Sequence, residues 1–83
     1  MIFQNNIITI ILKLTLLMST HLYKVTAKKD YGKLAKGMFV EIVIRNTNRK
    51  PTQREVIDAI NLKYGDKTAV NGLSMTNFEI VEL

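Results

Sequence analysis

Apolar and polar residues alternate along most of this chain, and the character of the alternation changes at residue 18. Residues 7–17 read Ile-Ile-Thr-Ile-Ile-Leu-Lys-Leu-Thr-Leu-Leu, an apolar run with few breaks. From Met18 onward the text is that of a small domain. Residues 21–28 set Tyr23, Val25 and Ala27 against Lys24, Thr26 and Lys28, the period of a half-buried strand. Residues 38–45 repeat it more strongly, with Met38, Val40, Ile42 and Ile44 on an apolar face and Phe39, Glu41, Val43 and Arg45 on a mixed one. Between them, Asp30, Tyr31 and Gly32 supply a chain reversal, because Gly32 takes positive φ without a Cβ clash. Gly37 marks a bulge or bend. The two runs predict a hairpin.

The period then changes to that of a helix. Pro51 fixes the approach, and Thr52-Gln53-Arg54-Glu55 spells a capping box, in which Thr52 accepts the N3 amide and Glu55 reaches back. Val56, Ile57, Ile60 and Tyr64 fall on one side, and Asp58, Asn61 and Leu62 on the other. Gly65 stands where a left-handed C′ residue closes a helix. Residues 66–76 are irregular, with Asn71 and Gly72 as a turn and Val70, Leu73 and Met75 available to pin the loop to the core. Residues 78–83 give a final strand. The order β-β-α-β predicts an α+β fold, a three-stranded sheet with one helix packed on one face. The last strand fits beside the second in parallel or beside the first in antiparallel fashion, and periodicity does not choose.

Residues 1–17 form a separate hydrophobic N-terminal extension, and residues 18–83 the single α+β domain. A spanning helix needs about 20 predominantly apolar residues. The run here supplies eleven, broken by Lys13 and two threonines. A signal peptide needs a basic start and small residues at its cleavage site, and neither is present. Ile8, Ile10, Leu12, Leu14 and Leu16 also alternate with Thr9, Lys13 and Thr15. Since Met18 doubles as a start codon, the readings rank as a mis-assigned start, a poor leader, an extra strand and, last, a membrane span. The expected location is cytoplasmic, or exported if residues 1–17 act as a leader.

Size changes the picture next. Starting at Met18 leaves 66 residues, and a domain of roughly 60 buries only about 60% of the surface its unfolded chain exposes. Small scaffolds then rely on disulfides, metal or association. With no cysteine in the chain, association is the device left, and a homodimer or protein partner is expected. One helix covers one side of a sheet. Phe39, Glu41, Val43 and Arg45 then face outward as a candidate protein interface, with Val81 or Leu83 of the last strand on the same side.

Charge supplies the alternative. The net charge of +5 is uneven: residues 21–54 carry nine Lys/Arg against Asp30 and Glu41, whereas residues 55–83 are net acidic. Lys24, Lys28, Lys29, Lys33, Arg45, Arg49 and Lys50, with Tyr31 to stack on bases, form a candidate nucleic-acid surface built on phosphate contacts. A solvated surface accounts for the same charges. Chemistry is thinner. His21, the sole histidine, reads as an ordinary exposed residue. The carboxylates show no acid/base pairing, and the serines and threonines lack a nucleophile motif. Isolated glycines exclude dinucleotide and P-loop sites, so no catalytic residue, metal or cofactor is expected.

Three short stretches, Leu22-Tyr23-Lys24-Val25-Thr26, Lys36-Gly37-Met38 followed by Val40-Glu41, and Lys63-Tyr64-Gly65, together resemble a family of short bacterial proteins known only as a domain of unknown function. The likeness spans residues 18–83 and omits the first seventeen, in keeping with a start at Met18. It implies a compact intracellular protein of about this length and carries over no catalytic residue, cofactor or partner.

Overall fold

The computed structural model describes residues 20–83. The readings made for residues 1–17, including their alternation and the start at Met18, lie outside the described residues. Three strands, one helix and a short 3₁₀ turn make up the rest: β1 (Thr20–Ala27), β2 (Phe39–Arg45), α1 (Gln53–Tyr64), the turn Met75–Asn77 and β3 (Phe78–Glu82). The sheet order is β2-β1-β3, with β1 antiparallel to both neighbours. This settles the placement that periodicity left open: the last strand lies beside the first. No helix among the described residues is long and apolar enough to cross a membrane.

Period-2 patterning sorts the residues onto two faces. Tyr23, Val25 and Ala27 of β1, Val40, Ile42 and Ile44 of β2, and Phe78 of β3 are buried on the inner face. Helix α1 lays Val56, Ile57 and Ile60 onto it, and Val25, Val56 and Ile60 have no exposed surface at all. Burying each such side chain contributes roughly 1.5–3 kcal/mol. The capping box forms in full, with Glu55 N–H donating to Thr52 Oγ1 at 3.2 Å and Thr52 N–H donating to Glu55 Oε1 at 2.9 Å.

The helix ends differently from the expected left-handed cap. Gly65 has φ +113° and ψ 156°, a region open to glycine alone. Its N–H bonds Asn61 O, and the extended ψ sends the chain directly away from the helix. Tyr64 is exposed rather than part of the buried stripe, because its ring lies at the helix end beside the β2 edge.

Asn61 does not simply face away. Its amide oxygen accepts from Ala69 N–H at 2.7 Å and its Nδ2 donates to Ala69 O at 3.0 Å, a two-bond clasp like that between paired strands. Gln53 Nε2 holds Leu73 O at 2.6 Å in the same loop. The residues that pin the loop are therefore Ala69 and Leu73, both buried, with Met75 partly so, while Val70 is exposed.

The β1–β2 connection reverses in two steps. Tyr31 and Leu34 exchange main-chain bonds of 2.8 and 2.9 Å around Gly32, and Leu34 is buried beneath them. A second turn bonds Met38 N–H to Ala35 O, with Gly37 at φ +91° donating to Ala27 O.

Candidate functional site

The outer face is built by the residues that the inner core leaves over. Strand pairing sets Leu22 opposite Val43, Lys24 opposite Glu41 and Thr26 opposite Phe39. On the other flank, Val81 lies opposite Lys24 and Glu79 opposite Thr26. Leu83 extends past β3, donating its N–H to Leu22 O at 2.8 Å. Val43, Leu22 and Leu83 thus cross the sheet as one apolar row, with Val81 in the row below. Val43 is 46% exposed, Val81 44% and Leu83 62%.

The four residues expected as a protein interface fall on this face but do unlike things. Val43 is an open apolar contact, and Glu41 and Arg45 flank it, exposed, two residues away on either side. Phe39 is engaged within the chain. Lys24 Nζ stands 4.5 Å and Lys63 Nζ 3.7 Å from its ring centroid, an arrangement that favours the cation over the negative ring face. Its backbone is held too: Lys63 Nζ donates to Phe39 O at 2.8 Å, and Phe39 N–H donates to Tyr64 Oη at 3.1 Å. That bond from Phe39, followed by the Lys63 ammonium, lowers the Tyr64 pKa. The last turn of α1 therefore wraps the Phe39 end of β2. Leu22, Val81 and Leu83 are the face residues that β2 alone did not reveal. Val81 and Leu83 had a signal in their alternation, whereas Leu22 needed the β1–β2 register.

The basic residues divide into two groups at opposite ends of β2. Lys28, Lys29 and Lys33 are exposed on the β1–β2 connection, together with Tyr31, which is 50% exposed. Arg45 is the last residue of β2 and Arg49 and Lys50 follow it, so this group stands at the far end of a seven-residue strand, about 20 Å away at 3.3 Å per residue. Lys24 sits between them on the outer face. Arg49 is committed to Glu55, with bonds of 2.6 and 3.1 Å to the two carboxylate oxygens. Tyr31 borders a shallow depression lined also by Val70, Asn71 and Ser74.

His21 is not an isolated surface residue. It is half-buried, its Nδ1 lies 2.9 Å from Glu82 Oε2, and that bond raises its pKa above 6.5. Sequence separation hid the pair, since the partners are 61 residues apart. Among the described residues no three His, Asp or Glu side chains gather as a metal site. The chain matches no protein-family model, no curated protein and no solved structure.

Proposed function

We propose that the protein is a small non-enzymatic interaction module that associates with further copies of itself through the outer side of its sheet. The observation that carries this reading is the apolar row of Val43, Leu22 and Leu83, with Val81 beside it, on the face opposite the helix. A contiguous patch of that kind favours burial, and a domain this small gains more from association than a large one. Sedimentation equilibrium on the full chain, from about 10 μM to about 1 mM, tests it. A mass rising toward two copies, and reverting to one in Val43→Asp, is the expected outcome. One copy throughout the range ends the reading.

A second reading is nucleic-acid binding at the β1–β2 connection. It is favoured by the half-exposed Tyr31 ring beside Lys28, Lys29 and Lys33 and next to a depression that offers Asn71 and Ser74. Stacking on Tyr31 with phosphate contacts to the lysines would bind single strands with little sequence preference. Anisotropy with labelled DNA and RNA at two salt concentrations checks it. Affinity must fall with salt and with Lys28→Glu, and binding indifferent to both removes this reading.

A further inference from the structure

The open side of β2 is more specific than the face beside it. A three-strand patch about four residues long covers roughly 14 by 13 Å, far below the roughly 800 Å² per partner of a standard stable interface. Stacking two such faces is therefore weak on its own. Strand pairing adds main-chain bonds that stacking does not, and β2 is an edge strand among the described residues.

In an antiparallel ladder, alternate residues direct both main-chain groups to the same neighbour. Phe39 points its N–H and C=O away from β1, since both are taken by Tyr64 and Lys63 of α1. The same phase sends the main-chain groups of Glu41, Val43 and Arg45 outward. The helix thus closes the edge at Phe39, and no described residue closes it from 41 to 45. An unpaired row of this kind is a template for a further strand.

The side chains choose the strand. At positions 41, 43 and 45 they read negative, apolar, positive, all on the outer face. Neither Glu41 nor Arg45 belongs to an ion pair among the described residues. If a second β2 runs antiparallel with Val43 against Val43, each Glu41 meets the other copy's Arg45, and the match occurs twice. Sliding by two residues destroys both matches, and a parallel, in-register pairing sets like charge against like. We infer that two copies join edge to edge through β2 into one six-stranded antiparallel sheet, with Val43 on the two-fold axis and Glu41 of each copy paired with Arg45 of the other. This rests on the self-association reading but places the contact at the β2 edge, with the outer face beside it, and fixes the register of that pairing. The contact is isologous and closes at two copies.

The test is a charge exchange followed by sedimentation equilibrium at low ionic strength. E41R and R45E each place like charges opposite, twice per dimer, and each weakens association about tenfold or more. The double variant E41R/R45E, and an equimolar mixture of the two single variants, restore it to within about threefold of the parent. Failure of both restorations overturns the register, as does a mass that climbs past two copies, the mark of head-to-tail pairing between β2 and β3. If the parent never associates, the self-association reading falls as well. If it associates, ignores the exchange and is broken by Val81→Asp, stacking through the face survives and the edge pairing does not.

Discussion

Replacing Glu55 with glutamine removes a charge while preserving a helix cap, so it isolates what the charge contributes. Glu55 Oε1 accepts from Thr52 N–H at 2.9 Å and from Arg49 Nη1 at 2.6 Å, and Oε2 accepts from Arg49 Nη2 at 3.1 Å. The carboxylate also sits in the first turn of α1, where the helix dipole favours negative charge. The Arg49 guanidinium, followed by the Thr52 amide, brings the Glu55 pKa down from 4.5 to about 2. Unscreened, a shift of that size corresponds to about 3 kcal/mol. The Glu55 and Arg49 side chains remain 35% and 48% exposed, and exposed pairs contribute about 1 kcal/mol or less. With the charged bond to the cap amide added, about 1–2 kcal/mol is expected.

Because the carboxyl is more acidic in the folded chain, this stabilisation is present above about pH 5 and is lost as pH falls toward 2. Glutamine still accepts from Thr52 N–H but does not titrate. Urea unfolding followed by far-UV circular dichroism should therefore separate parent from Glu55→Gln by about 1–2 kcal/mol near pH 7, equivalent to about 4–16 °C in Tm. The gap should narrow toward pH 3, and the other carboxylates cancel in the difference. A gap that stays constant across that range, or no gap near pH 7, refutes the assignment to charge.

Asn61→Ala unclasps the 66–74 loop and leaves the Ala69 N–H and C=O without partners, at a cost of about 2–3 kcal/mol in urea unfolding; a loss below about 0.5 kcal/mol would contradict the clasp. Gly65→Ala meets only Thr68 Oγ1, at 4.0 Å, so its cost is backbone strain of about 1–3 kcal/mol, read as a lower Tm without loss of helix content. His21, as the sole histidine, gives one titrating imidazole resonance in NMR with a midpoint above 6.5, and Glu82→Gln should move it down. The stabilisation from that pair is present below pH 6.5 and fades as pH rises through the folded value, so a midpoint unmoved by Glu82→Gln would dissolve the pair. Phe39→Leu keeps an apolar side chain but removes the ring beneath Lys24 and Lys63, lowering stability by about 1–2 kcal/mol; a Tm equal to the parent's would show the ring contacts to be idle.

What was legible in the sequence was whatever a local pattern determines. The capping box at Thr52 and Glu55, the alternation of β2 and the apolar stripe at Val56, Ile57 and Ile60 each need only neighbours within a turn or a strand, and each is realised. The placement of β3 was not legible, since Ile80 and Phe78 satisfy period 2 beside either strand. Asn61 misled because a polar residue on a helix face looks solvated until the loop that it clasps is in place. Phe39 misled for a related reason. Its ring belongs to the outer face by alternation, yet Lys63 reaches it around the edge from the helix, a contact with no sequence period. The charges of Glu41 and Arg45 were visible from the start, but their arrangement about Val43 gained meaning only once β2 was known to lie at the margin of the sheet formed by the described residues.

The strand order has a consequence for how the chain is made. The middle position belongs to the segment synthesised first among the three, and one of its two flanks is filled only by residues 78–82. Until those residues leave the ribosome, the flank of β1 that they fill has no strand partner among the described residues. The last ladder must also close a loop of roughly fifty residues, which slows its formation. During that interval the nascent chain is most prone to capture by a neighbour or a chaperone. Shortening the message so that translation stops at residue 77 should make the chain aggregate more readily than the full-length one, even though the helix and nearly all of the buried core would already have been translated.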